Sequence, residues 1–362
     1  MATFSVEKSP RLNWRNRNVF CLALFAIIAM LAMAPIATPA YATENENASP
    51  AMENGNPIAN YWRTVRGGEA GITTSSGPYT TDTLIQNGGQ NWRQIRNGLI
   101  ANYGGWLLGI VLAVIALFFA VRGRIRLDEG YSGKRIMRFS LWQRIVHWYT
   151  ATTVIVLALS GLVILFGRAL LIPVFGKDAF SVLAEGSKIV HNFVGPLFVV
   201  AVLMLIVTFL AGNMFRKGDL KWFSSGGGMI KGKHASAGRY NAGEKLWFWI
   251  ASIAGILIAV TGVVLDFPGF GQTREAMQLA EIIHASLAIV LIAVAFGHIY
   301  IGTLGTQGAF DAMSKGHVDA NWARQHHDRW YEEMEKSGMV KSAEELEGSA
   351  KGSGARPDVV PE

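Results

Sequence analysis

Five long apolar runs constrain this chain more than any other feature of its sequence. They cover roughly 103–121, 147–166, 191–211, 247–265 and 284–303. Each is near the length of about 20 residues that a helix needs to cross a hydrocarbon core about 30 Å thick. Lipid offers no partner to backbone N–H and C=O groups, so such runs close their hydrogen bonds internally, as helices. No alternating, strand-like pattern competes with them. The composition agrees, with 51% hydrophobic and 16% charged residues, where soluble domains carry about 25% charged. The expected fold is all-α, a transmembrane helical bundle of five spans.

The net charge of +7 would suit a nucleic-acid partner if it were gathered in one patch, but it is not. Arg122, Arg124, Arg126, Lys134, Arg135, Arg138 and Arg144 share one loop, and Arg216, Lys217, Lys221, Lys231, Lys233, Arg239 and Lys245 share another. The intervening loops hold only Arg168, Lys177 and Lys188 in one and Arg274 in the other. Alternation of this kind is the positive-inside pattern of a multi-pass protein of a bacterial inner membrane. It predicts cytoplasmic rich loops, a periplasmic mature N-terminus and a cytoplasmic C-terminus, with lipid and not nucleic acid as the surrounding partner.

The N-terminus points the same way. Arg11, Arg15 and Arg17 precede an apolar stretch from Val19 to Met33, and Ala40-Tyr41-Ala42 forms a small-residue cleavage site. Residues 1–42 therefore read as a signal peptide. Residues 43–101 read as a polar periplasmic segment, 102–122 as a span, 139–304 as the main membrane domain and 305–336 as a cytoplasmic C-terminal helix. Residues 337–362 form a disordered tail, rich in Gly, Ser and Glu. The only cysteine, Cys21, lies in the signal, so disulfides, Fe–S ligation and covalent haem attachment are excluded from the mature chain.

Four of the eight histidines, His147, His191, His284 and His298, lie within or at the ends of apolar runs. An ionisable side chain there is costly and marks a functional site by default, although any one histidine can serve as a simple interhelical hydrogen-bonding group. Their depths form a pattern. His147 and His298 sit at the cytoplasmic level, His191 and His284 at the periplasmic level. His284 and His298 share one helix, fourteen residues apart, which is about 21 Å along the axis and within about 40° of the same face. Two levels with two imidazoles each suit two stacked b haems, the four histidines serving as axial ligands to iron in the pairs His191–His284 and His147–His298. Gly161, Gly195, Gly262 and Gly297 would let flat macrocycles approach the helices. A histidine-based metal transporter remains an alternative from another class, although such sites gather near the midplane. His326 and His327, beside Arg324, Asp328 and Arg329, read as a solvated or interface patch.

From about Phe139 to Glu335 the sequence resembles the gamma subunit, cytochrome b556, of membrane-bound formate dehydrogenases. The resemblance rests on Arg144-Ile145-Val146-His147-Trp148, Ile189-Val190-His191 with Gly195, Ile283-His284-Ala285 and His298-Ile299-Tyr300. It also rests on Arg239-Tyr240-Asn241-Ala242-Gly243-Glu244-Lys245, Phe248-Trp249, Trp322-Ala323, His326-His327 and Arg329-Trp330-Tyr331. It implies a four-helix, di-haem cytochrome b core and a chain that transfers electrons rather than oxidising formate. The implied partners are an Fe–S subunit and a molybdenum or tungsten catalytic subunit. It further implies electron delivery to menaquinone or ubiquinone at Asn241, Ala242, Gly243, Glu244 and His298. Glu244 stands where the family carries Gln, and a carboxylate can accept a proton where Gln only hydrogen-bonds, so the resemblance does not fix the quinone type or its contacts here. The histidines alone also fit the cytochrome b subunits of hydrogenases and thiosulfate reductases. Nothing in the resemblance accounts for the signal, the segment from Thr43 or the first span.

Overall fold

The computed structural model describes residues 89–227, 235–342 and 345. The expected signal, most of the polar segment after it and most of the C-terminal tail lie outside these residues, as do Lys231, Lys233 and His234, but the start of the expected disordered tail is ordered and includes a strand, Lys341–Ser342. Within them the chain is mainly helical, and five helices are long and apolar enough to cross a membrane.

The first span is longer than its apolar run. Helix α1 (Gly89–Gln94) passes through a π-helical stretch, Ile95–Tyr103, into α2 (Gly104–Arg122) without a break. The last part of the segment expected to be a polar periplasmic extension is therefore helix. Strand β1 (Lys134–Met137) follows, then α3 (Leu141–Leu170) and α4 (Ile172–Phe209). A capping box opens α3, with Ser140 accepting from the Gln143 N–H and Gln143 from the Ser140 N–H. Gly176, at φ 80°, breaks α4 near its start. Pro196 lies inside that helix and removes one backbone hydrogen bond just beyond His191.

After the short helix α5 (Asp219–Ser224), a second long pair follows, α6 (Ala242–Asp266) and α7 (Arg274–Tyr300). Helix α6 opens with a capping box between Asn241 and Glu244. The α3–α4 and α6–α7 hairpins are built alike. At one fixed offset along the chain, Ser140 matches Asn241, Gln143 matches Glu244, Trp148 matches Trp249, Ser160 matches Thr261 and Gly161 matches Gly262. They pack side by side through Phe198 and Val202 of α4, Ala254, Ile258 and Ala259 of α6, and Leu291 of α7. Gly255 lets α6 approach Val202, whose Cγ2 would lie 3.1 Å from an added Cβ.

The first span covers the outer side of α7, joined through Ile100, Leu108, Ile289 and Ala293. At its exit, Ile125 forms a parallel bridge with Thr306, and Phe118 and Phe119 meet Tyr300 edge-on.

A cap closes the end that carries the basic loops. It comprises β1, α8 (Ala309–Ser314), β2 (His317–Asp319), α9 (Ala320–His326), α10 (Asp328–Lys336) and β3 (Lys341–Ser342). The strands form a small antiparallel sheet in the order β2-β1-β3. The single helix expected over 305–336 is thus three short helices and a strand. Ile136, Val146, Val318, Ala323 and Trp330 are at most 1% exposed and join the cap to the bundle in one core.

Candidate functional site

Helix α7 brings the four membrane histidines into two pairs. His284, near its start, faces His191 of α4, with ring centroids 6.1 Å apart. His298, near its end, faces His147 of α3 at 6.2 Å. Two imidazoles trans on one metal ion, at about 2 Å per metal–nitrogen bond, hold their centroids roughly 6 Å apart. Both gaps have the width that one iron between two imidazoles requires. Among the described residues no three His, Cys, Asp or Glu side chains group as a metal cluster, so the donor sets are imidazole pairs.

The rings of the first pair are oriented from behind. Ser160 Oγ donates to the Val156 carbonyl at 2.8 Å and lies 2.9 Å from His191 Nδ1. With its own proton committed, the hydroxyl accepts from the ring. Thr261 repeats the device: Oγ1 donates to Leu257 at 2.7 Å and lies 3.2 Å from His284 Nδ1, which also reaches the Ile258 carbonyl at 3.1 Å. Both rings therefore carry hydrogen on Nδ1 and turn the lone pair of Nε2 outward, the tautomer needed for metal ligation. Gly161 and Gly262 make room for the rings. A Cβ on either would sit 3.2 Å from the Cε1 of His191 or His284. Gly195 and Gly297, by contrast, have open space beside them.

The second pair is held by aromatic contact. His298 stacks on Trp247 of α6, at 4.8 Å and 18° between planes, and the His147 ring meets Trp148 edge-on at 5.2 Å. His147 Nδ1 is buried without a hydrogen-bond partner in the described residues. Ser160, Thr261 and Trp247 were not singled out from the sequence; the one available hint was that Ser160 and Thr261 each precede a glycine that was.

The Asn241–Glu244 region lies at the start of α6, between the second histidine pair and the cap. Asn241 caps the helix, its Oδ1 accepting from the Glu244 N–H at 2.9 Å, while Glu244 Oε2 accepts from the Asn241 N–H at 3.0 Å. Ala242 is 1% exposed. Trp222 of α5 lies against Gly243, its Cη2 2.9 Å from an added Cβ. Next along α6, Lys245 forms a buried ion pair with Asp219 at 2.9 Å, both side chains under 10% exposed.

Glu244 is also anchored to the cap. Arg138, 3% exposed, donates from Nη2 to both Glu244 oxygens at 2.9 and 3.0 Å, and to the Arg239 carbonyl at 2.9 Å. The same nitrogen lies 3.2 Å from His327 Nε2, and His327 Nδ1 donates to the Gly238 carbonyl at 2.7 Å. His327 is 1% exposed, between Trp322 and Trp330. Burial and the Arg138 charge push its pKa down to about 3. Of the solvated or interface patch expected at His326-His327, His327 takes the interface form: its imidazole is buried, while Arg324 and Arg329 are exposed and Asp328 accepts from the Ala237 N–H at 2.8 Å.

The sequence is similar to those of known proteins. The profile of the prokaryotic cytochrome b561 family matches residues 138–316. The cytochrome b556(Fdn) subunit of the nitrate-inducible formate dehydrogenase of Escherichia coli K12 is 32% identical over 218 residues, 59% of this chain and 97% of its own. The cytochrome b556(fdo) subunit of formate dehydrogenase from the same organism is 32% identical over 211 residues, 57% of this chain and 97% of its own. A formate dehydrogenase cytochrome b556 subunit of Haemophilus influenzae is 28% identical over 205 residues, 55% and 83% of the two chains. With nearly the whole of two such relatives aligned on a bundle that carries paired membrane histidines, the chain belongs to the family of formate dehydrogenase cytochrome b556 subunits.

Proposed function

We propose that this chain carries electrons from a periplasmic Fe–S partner through two b haems to quinone, and anchors a formate dehydrogenase complex in the bacterial inner membrane. The observation that supports it best is the pair of imidazole gaps, 6.1 and 6.2 Å, with one member of each on α7. His191 and His284 would hold the periplasmic-level haem, His147 and His298 the cytoplasmic-level one. A b haem held by each pair would supply a one-electron carrier. The chain's own residues orient the ligands: Ser160 and Thr261 fix the tautomers of one pair, and Trp247 fixes the plane of His298. The apolar spans keep water from both levels.

Quinone reduction is assigned to the edge formed by Asn241, Ala242, Gly243 and Glu244 next to His298. Asn241 uses its carbonyl oxygen as a cap, which leaves its amide N–H groups to donate to a quinone carbonyl. Trp222, which packs over Gly243, offers a flat surface. Glu244, tied to Arg138 and close to His327, stands where a proton from the cytoplasm would arrive. The orientation follows the basic loops, with the cap in the cytoplasm and the His191–His284 level toward the periplasm.

The test is spectroscopic. In the purified complex, formate should reduce two b-type centres. His191→Ala and His284→Ala should each remove one of them, and His147→Ala and His298→Ala the other. Glu244→Gln should leave both haems reducible by formate and slow quinone turnover, more so at high pH. Loss of one common haem in His191→Ala and His298→Ala would refute the pairing. Bound zinc without b-type bands would favour a transporter, and reduction by hydrogen but not formate would place the chain with hydrogenase cytochromes.

A further inference from the structure

The first span lies outside the part of the chain that the family profile covers, yet it delivers a charge to the upper histidine pair. Arg96, in the π-helical stretch before α2, donates from Nε to Glu281 Oε1 of α7 at 2.6 Å. Its Nη1 is held by the Asn97 side chain at 2.9 Å. The two side chains are 25% and 30% exposed, so solvent screens the pair only in part. Glu281 stands three residues before His284 on the same helix, a spacing that puts both on one face. A carboxylate one turn from an iron ligand stabilises the oxidised metal, and a guanidinium paired with it cancels that effect.

We propose that Arg96 sets the reduction potential of the haem held by His191 and His284, by neutralising Glu281 beside it. This rests on the haem reading above. In the family core alone, the same carboxylate would be uncovered. The added span therefore raises the potential at the electron-entry level, making that haem the easier one to load from the Fe–S partner. Arg96 acts as a positioning and charge-setting residue rather than as a ligand.

The test is spectroelectrochemical titration of both haems in the purified complex, with four variants. Arg96→Gln should make the His191–His284 haem harder to reduce, shifting its reduced-to-oxidised ratio by about three- to tenfold, or about 30–60 mV for a one-electron couple. Glu281→Gln should shift it the opposite way, because an unpaired guanidinium is left beside the haem. The double variant should return close to the native value, and Arg96→Lys, which keeps the charge, should hold it. The His147–His298 haem should stay within a small fraction of these shifts. Shifts of the same sign in Arg96→Gln and Glu281→Gln would mean that the pair only docks the helix, and would overturn the proposal. So would an unchanged potential in both. His284→Ala in the same series isolates the underlying reading: if it retains both haems, the ligand assignment itself is wrong.

Discussion

His327 gives the cap a specific response to acid. The imidazole is neutral in the folded protein, with its pKa pushed down to about 3 by burial and by Arg138, and ordinary in an opened chain, at about 6.5. Between those values the opened state binds the extra proton. Stability therefore rises with pH through this window and is lost as pH falls below about 6.5. Going from pH 7.5 to pH 5 should cost the cap about 2 kcal/mol, or roughly a 30-fold rise in the opening constant. Replacing His327 with Gln keeps a donor for the Gly238 carbonyl and an acceptor for Arg138 but removes the titration. Hydrogen exchange of residues 317–336 in the detergent-solubilised protein, corrected for the intrinsic pH dependence of exchange, measures the opening. The native chain should lose protection by about that factor at pH 5 relative to the Gln variant. Equal pH responses in the two proteins would refute a buried neutral His327.

Ser160→Ala and Thr261→Val each remove the hydroxyl behind a ring Nδ1, and should weaken haem retention at the His191–His284 level by about 10- to 100-fold, measured by haem content after dilution. Gly161→Ala and Gly262→Ala place a methyl 3.2 Å from the His191 and His284 rings and should lose the same haem while sparing the other, seen as half the b-type absorbance. Lys245→Met strands Asp219 in a buried site and should destabilise the α5–α6 junction by about 3–5 kcal/mol, and adding Asp219→Leu should restore most of it. Thermal unfolding of the three proteins checks that order.

The membrane part of this architecture was legible because its signals are local and costly to fake. Long apolar runs specify spanning helices, and histidines inside them stand out against lipid. Their depths follow from counting residues along α7. The groups behind the ligands were not legible. Ser160 and Thr261 read as ordinary membrane-helix hydroxyls bonded to their own backbone, which they also are, and their second partner comes from another helix. The full burial of His327 was hidden for a related reason. Its sequence neighbours Arg324, Asp328 and Arg329 are polar, while its spatial neighbours are Arg138, Trp322 and Trp330. The sheet escaped notice because β1 has four residues and β2 three, too few for alternation to register. The early start of the first span was hidden by Arg93, Arg96 and Asn97, polar residues that interrupt the apolar run, and the partner that satisfies Arg96, Glu281, lies far off in sequence on α7.

Because α7 carries one member of each histidine pair on a single rigid rod, it behaves as a gauge block between the two levels. An inserted or deleted residue between His284 and His298 turns one ring by about 100° relative to the other, so it cannot be absorbed locally. The smallest change that leaves a residual rotation of only about 20° is seven residues, and it alters the length of the rod by about 10 Å. Loops and termini in this fold can drift by insertion and deletion, as the first span and the regions outside the family core attest. The fourteen-step interval on α7 cannot, and its length locks the thickness of membrane across which the two pairs are held.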